Sequence, residues 1–195
     1  MGQPAKVLGS ADVRRLLSHT RYQRHAARNR VMILLSFKAG LRACEIAGLT
    51  WSMVLRPDGR LGQSIQVSRD IAKNGSGRAI PINPELAKAL NRLLATVDDD
   101  DEDECDAIIR SERGDNMTAS AVVNWFGRIY RELGMEGCSS HSGRRTFITR
   151  SARLLPKIGG SLRDVQELAG HRSLTTTERY IQGDRDVQRK LLRLL

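Results

Sequence analysis

Several stretches of the chain place apolar residues three or four positions apart, which is the spacing of one helical face. The first stretch follows Ser10, which we expect to be the N-cap residue of a helix. A longer helix is expected over about 24–38, where Gly40 ends it, and a short one over about 42–48. The positions expected to face inward include Val13, Leu16, Leu17, Val31, Leu34, Leu35 and Phe37.

Between residues 51 and 82 the pattern changes to an alternation of apolar and polar residues, which predicts β-strands. The segment 74–77 reads Asn-Gly-Ser-Gly and is typical of a hairpin tip, so we expect it to join strands at 71–73 and 78–80. The alternating apolar positions are Ile65, Val67, Ile80 and Ile82.

Helical patterns with clear start signals occupy most of the second half of the chain. The predicted starts are Asn83-Pro84, Thr118, His141 and a capping box from Ser161 to Asp164. These helices are expected to end near residues 94, 133, 154 and 169, and a short last helix, which begins at 175–177, is expected to contain Tyr180. Together the elements predict a mainly α fold with a small antiparallel β-sheet, in the α+β class.

Length and composition favour one intracellular domain. The 195 residues are 40% hydrophobic, enough for a buried core, and the longest apolar run, 31–37, is too short to span a bilayer. The start of the chain shows no secretion leader. Its three cysteines lie far apart and fit neither a disulfide framework nor a zinc cluster. We therefore expect a cytoplasmic protein with no membrane partner, no metal and no cofactor.

Charge is distributed unevenly along the chain. The formal net charge is +10, yet eight acidic residues and no basic one lie within 98–106, which is expected to be a solvated loop. Outside this acidic loop, 32 basic residues face 14 acidic ones, a net charge of +18. This excess favours a polyanion such as nucleic acid as the partner, although a purely solubilising charge is the alternative. An aromatic content of 4% argues against a dedicated single-strand binder.

Two pairs of polar residues at i,i+3 spacing are candidates for chemistry. Arg42 begins the short helix and Glu45 follows one turn later, so the carboxylate can hold the guanidinium rigid; an exposed surface pair is the alternative. His141 and Arg144 have the same spacing and the same alternative.

Further along the chain, His171 follows a predicted helix end and Tyr180 follows nine residues later. Taken singly, a histidine just after a helix end is usually a cap, and a lone tyrosine is usually a core residue.

The chain carries, in this order, an arginine, a hairpin lysine, His-x-x-Arg, Gly-His and a tyrosine. With this set the sequence resembles the catalytic domain of the tyrosine recombinases, or phage-type integrases. The resemblance covers about residues 8–185. It is carried by Ala-Gly-Leu-Arg-Ala-Cys-Glu-Ile-Ala-Gly-Leu-Thr-Trp at 39–51, His-Ser-Gly-Arg-Arg-Thr-Phe at 141–147, and Val-Gln-Glu-Leu-Ala-Gly-His at 165–171, followed by Tyr180.

The resemblance implies a site-specific recombinase that cleaves and rejoins double-stranded DNA through a 3′-phosphotyrosyl intermediate, without metal or ATP. The implied roles are nucleophile for Tyr180, general acid for Lys73, phosphate clamp for Arg42 and Arg144, hydrogen-bond donors for His141 and His171, and support for Glu45. His141 is also the residue expected to help accept the phenol proton. A non-catalytic DNA-binding or regulatory relic of the same fold is the alternative, and a topoisomerase is a variant of the first reading.

The resemblance also implies how the chain is organised. Residues 1–195 are expected to form one catalytic domain without the N-terminal core-binding domain of most relatives, and hence to bind DNA weakly and with strong salt dependence. The apolar stripe of 185–195 either packs on its own domain or docks on a neighbouring protomer in a tetramer on DNA. A bacterial, phage or mobile-element origin is expected. Gly143 stands where many relatives have leucine, which predicts looser helix packing there.

Overall fold

The computed structural model describes residues 4–72, 75, 77–97, 106–180 and 192–193. Two strands, β1 (Ser64–Val67) and β2 (Arg78–Pro81), form an antiparallel sheet. The helices are α1 (Ser10–His19), α2 (Ala26–Lys38), α3 (Ala43–Ala47), α4 (Pro84–Leu94), α5 (Ala119–Glu132), α6 (Ser142–Ile158), α7 (Leu162–Ala169) and α8 (Leu174–Glu178). The predicted mainly α fold with a small antiparallel sheet is confirmed.

Helix α2 is the centre of the core. Its residues from Val31 to Leu35 are fully buried, because the helix is apolar on nearly every side and has other helices around it. Helices α1, α3, α4 and α6 all contact it. The predicted inward positions of this helix are therefore confirmed, including Phe37.

Local start signals were predicted well in the second half of the chain. The Asn83 side chain accepts a hydrogen bond from the Glu85 N–H at 3.0 Å, and the Thr118 hydroxyl oxygen accepts one from Ala121 at 3.1 Å. The Asp164 carboxylate accepts the N–H of Ser161 at 2.7 Å, as a capping box requires. These contacts join residues no more than three positions apart, so the local sequence determines them.

The strand pairing was predicted wrongly. Strand β2 pairs with Ser64–Val67, with Ser64 opposite Pro81 and Val67 opposite Arg78, and not with 71–73. Ile65 and Val67 are buried on the core side of the sheet, and this burial sets the register. Ile71 and Ala72 lie instead in the turn and bend that follow the strand.

Three helix ends also differ from the predictions. Gly9, not Ser10, is the N-cap residue of α1, because the Asp12 carboxylate accepts the Gly9 N–H at 2.9 Å. Helix α6 continues past residue 154 to Ile158. Tyr180 lies two residues beyond the end of α8, not inside that helix.

The expectation of loose packing at Gly143 was also wrong. Gly143 is buried where α6 crosses α2, and a Cβ atom there would lie 2.1 Å from the Oγ of Ser36. The two helices therefore approach more closely than any side chain at this position allows. The glycine brings the backbone next to Arg144 directly against the core helix.

Another glycine shapes the loop between α2 and α3. Gly40 has a φ of +64°, and a Cβ atom there would lie 2.3 Å from Cδ1 of Phe147 on α6. Both the left-handed backbone and the close ring favour glycine. The loop that leads to Arg42 therefore lies against α6, the helix that carries Arg144.

Some predictions fall on residues outside the described part of the chain. These are Lys73, the acidic loop apart from Asp106, and the segment 185–195 apart from 192–193. In the part that the structure does describe, we find no helix with the combined length and apolar character needed to cross a membrane.

Candidate active site

Glu45 is a fully buried carboxylate that lies between two arginines. Its Oε1 accepts Nη1 of Arg42 at 3.1 Å, and its Oε2 accepts the Arg42 backbone N–H at 2.8 Å. Arg78 binds both carboxylate oxygens through Nη1 and Nη2, at 2.9 and 3.0 Å. The Arg42–Glu45 pair is thus a buried support for the arginine and not an exposed surface pair.

Sequence reasoning missed Arg78. It is the first residue of β2, its side chain is only 6% exposed, and its Nε donates to the carbonyl of Leu168 in α7 at 2.9 Å. The local sequence, an arginine in a strand next to a glycine, does not indicate that Arg78 binds Glu45 and α7. Arg78 joins the sheet, α3 and α7, and it directs its three nitrogens at protein acceptors.

Arg144 is held between the loop at Gly40 and the last residue of α7, which come from distant parts of the chain. Its Nη1 donates to the carbonyl of Gly40 at 2.6 Å, and its Nη2 donates to the carbonyl of Ala169 at 2.5 Å. Gly40 lies two residues before Arg42, and Ala169 lies two residues before His171. A guanidinium has five N–H donors, so donors remain on Arg144 for a ligand.

The rings of His171 and Tyr180 lie face to face, and His171 is close to Arg144 and Arg42. Their rings stack with centroids 5.6 Å apart and planes 19° from parallel. Nδ1 of His171 lies 2.9 Å from the hydroxyl of Thr177, a partner in α8 that sequence reasoning missed. The Arg145 guanidinium lies 5.7 Å from the centroid of the Tyr180 ring, which also packs against the small cluster around Ile148.

Charges within the site shift several pKa values. Burial and the Arg42 guanidinium lower the pKa of Arg144 to about 10, which leaves it charged at neutral pH. Burial and the nearby Arg144 lower the pKa of His171 to about 4, so the imidazole is neutral at pH 7. Burial alone would raise the pKa of Glu45, but the hydrogen bonds and charge of Arg78 and Arg42 outweigh it and the pKa is lowered. The site is therefore cationic and has unused hydrogen-bond donors.

The structure brings Arg42, Glu45, Arg144, His171 and Tyr180 into one site. His141 lies at the N-cap position of α6, one helical turn before Arg144, and its side chain is exposed.

The family model described as "Phage integrase family" matches residues 6–186. The chain therefore belongs to the phage integrase family.

Curated relatives and solved structures agree with this family. The tyrosine recombinase XerC of Rickettsia prowazekii is 31% identical over 156 residues, which are 80% of this chain and 47% of that protein. The XerC of Myxococcus xanthus is 30% identical over 163 residues, 80% of this chain and 50% of that protein. The chain thus spans about half the length of the curated relatives it matches.

The fold is shared with recombinases of known structure. The Tn1549 transposon integrase in complex with a circular intermediate DNA superposes with a TM-score of 0.78 at 23% identity, over 100% of this chain and 67% of that one. XerA recombinase gives a TM-score of 0.72 at 21% identity, over 100% of this chain and 64% of that one. A lambda integrase dimer bound to a COC′ core site gives 0.68 at 20% identity, over 95% and 50%.

Proposed function

We propose that the protein is a site-specific DNA recombinase or integrase that cleaves and rejoins double-stranded DNA. The observation that carries the proposal is the meeting of Arg42, Arg144, His171 and Tyr180 in one cationic site, although these residues span almost 140 positions of the chain. A phosphodiester is anionic, and attack at phosphorus adds negative charge to its equatorial oxygens. Two planar guanidinium groups with donors to spare suit such a centre.

In the proposed reaction, the phenol oxygen of Tyr180 attacks the scissile phosphorus and the bond to the 5′ oxygen breaks. The product is a 3′-phosphotyrosyl link and a free 5′-hydroxyl. The reverse attack by a 5′-hydroxyl of another strand rejoins DNA, and because the covalent link conserves the bond energy, no ATP is needed. The arginines supply the positive charge that stabilises the transition state, so we propose a reaction without metal or other cofactor.

Two proton transfers complete this mechanism. The phenol of Tyr180 must lose its proton, and the resemblance implies that His141, one turn before Arg144, helps to accept it. The 5′ oxygen must gain a proton as it leaves, and the resemblance assigns this step to Lys73 as the general acid. Glu45 acts on the chemistry indirectly, because it orients Arg42.

We also propose that residues 1–195 act as a single catalytic domain in the cytoplasm and assemble on DNA as a tetramer. The transposon integrase is in complex with a circular intermediate DNA and the lambda integrase dimer is bound to a core site, which supports duplex DNA as the partner of this chain. The net charge of +10 favours the same partner.

A covalent trap tests the nucleophile. We expect a pool of nicked duplexes with randomised cores to yield a DNA–protein adduct that resists detergent. The variant Tyr180→Phe should abolish the adduct and leave duplex affinity within about twofold, because phenylalanine keeps the ring stack on His171. Tyr22→Phe is the matched control, since Tyr22 is 87% exposed, and it should form the adduct normally. Binding of DNA without any adduct from the unchanged protein would favour the non-catalytic relic.

A sulfur substitution tests the general acid. Lys73→Ala should slow cleavage of an ordinary duplex, and a substrate with sulfur at the 5′ leaving position should restore the rate, because a thiolate leaves without a proton. If sulfur gives no rescue, Lys73 has another role.

A further inference from the structure

The residue after Arg144 contacts the ring of the proposed nucleophile. The guanidinium carbon of Arg145 lies over the Tyr180 ring, 5.7 Å from its centroid. A cation within about 6 Å of an aromatic centroid is attracted to the negative face of the ring. Arg145 is partly buried, and the loss of water around the pair strengthens this attraction. The reaction proposed above assigns no role to Arg145.

Arg145 belongs to a face of α6 on which the Tyr180 segment rests. Ile148 and Thr149 follow it at i+3 and i+4, so the three side chains lie on the same side of the helix. The Thr149 hydroxyl donates to the backbone carbonyl of Tyr180 at 3.4 Å, and the Tyr180 ring packs on the buried cluster around Ile148. A cation, an apolar surface and a hydrogen bond from one helix therefore hold Tyr180 in place.

The neighbouring Arg144 fixes the direction in which Arg145 points. Arg144 donates to two carbonyl groups outside the helix, at Gly40 and Ala169, and these bonds prevent this turn of α6 from rotating. Successive residues of an α-helix point about 100° apart. The two adjacent guanidinium groups therefore face different targets, and that of Arg145 faces the ring of Tyr180.

Charge also links Tyr180 to this turn of the helix. Burial and Arg42 lower the pKa of Arg144 to about 10, and a negatively charged Tyr180 opposes part of this shift. The phenol is therefore close enough to Arg144 for their charges to interact. As the phenol loses its proton, negative charge spreads into its ring, so the attraction between the ring and Arg145 increases.

We propose that Arg145 is a positioning residue that holds the ring of Tyr180 beside Arg144, ready for attack at phosphorus. An arginine suits this task, because its planar guanidinium stacks on an aromatic face and the ammonium of lysine does not. The role rests on the proposed function, in which Tyr180 is the nucleophile, but the contact itself does not require DNA.

Ring signals of tyrosine test the contact without DNA. The chain has three tyrosines, of which Tyr22 is 87% exposed and Tyr130 only 2%. In a spectrum of the whole chain with ¹³C-labelled tyrosine rings, Tyr180→Phe identifies the Tyr180 signals by their loss. In Arg145→Met, which keeps an unbranched apolar stem but removes the charge, these signals should move toward those of Tyr22, because the ring leaves its stack on His171. The Tyr130 signals should stay in place, which shows that the core is intact.

Arg153→Met is the matched control, because Arg153 is an exposed arginine of the same helix. It removes an equal charge and should leave all the tyrosine signals unchanged. In the covalent trap, Arg145→Met should form the Tyr180 adduct about tenfold more slowly than Arg153→Met, with duplex affinities of the two variants within about twofold. Arg145→Lys, which keeps the charge but loses the planar group, should recover part of the rate.

Unmoved Tyr180 signals in Arg145→Met would overturn the proposal, and so would measurable but equal rates of adduct formation by Arg145→Met and Arg153→Met. A loss of duplex affinity in Arg145→Met while the Tyr180 signals stay in place would overturn it as well, because Arg145 would then bind the DNA backbone. If the signals move as expected but the unchanged protein forms no adduct, the proposed function fails and the contact between Arg145 and Tyr180 is still supported.

Discussion

Replacement of Glu45 by glutamine tests how the candidate active site is held together. The carboxylate is fully buried and binds two side chains that are themselves largely buried, Arg42 at 18% and Arg78 at 6% exposure. Glutamine keeps the shape but removes the charge, and its amide NH₂ then faces a guanidinium donor. Two buried cations would remain without their counter-charge.

The expected loss of unfolding free energy follows from the burial of these groups. Loss of one partner in a buried ion pair costs about 3–5 kcal/mol, because the remaining charge stays desolvated. Glu85 provides a matched control, since it also holds two cations, Arg30 at 2.9 Å and Lys38 at 3.4 Å, but is 38% exposed. Exposed pairs contribute at most about 1 kcal/mol, so Glu85→Gln should have a small effect.

Urea unfolding at pH 7 measures the difference between the two variants. We expect Glu45→Gln to lose several times more unfolding free energy than Glu85→Gln, and DNA cleavage to fall as Arg42 loses its support. The pKa of Glu45 is lowered, so its stabilisation is complete above the ordinary carboxyl pKa and disappears as the pH falls through the lowered value. The gap between the unchanged protein and Glu45→Gln should therefore narrow in acid. Equal losses for the two variants would refute the reasoning.

Two further predictions concern packing and titration. Gly143→Ala should destabilise the protein by about 1–3 kcal/mol in urea unfolding, because the new Cβ meets Ser36. Gly127→Ala in α5 is the control, and it should be neutral or stabilising because the space around Gly127 is open. Similar effects of the two substitutions would contradict the close approach of α6 to α2. The imidazole of His171, with its pKa lowered to about 4, should titrate well below the ordinary 6.5 in an NMR pH series, and stability should fall as the pH drops between these values, because the unfolded chain then binds a proton that the folded one does not. A midpoint near 6.5 would show that the ring is not held among the arginines.

Much of the fold could be predicted from the sequence, because the decisive contacts are local. The caps at Asn83 and Thr118 each join residues two or three positions apart. The central position of α2 follows from its nearly continuous apolar sequence. The motif order likewise singled out Arg42, Arg144, His171 and Tyr180, and the structure brings these four together. Their catalytic roles, and that of Lys73, stay predictions.

The sequence by itself therefore determined which helices form, where most of them begin, and which residue types are available for chemistry. Tertiary structure alone decided the pairing of β2 with β1, the role of Arg78 and the close packing at Gly143. Arg78 reaches an acid 33 positions away and a carbonyl 90 positions away. Such partners are chosen by packing and burial between elements, and the low dielectric of the interior then gives their charges a weight that no local pattern indicates.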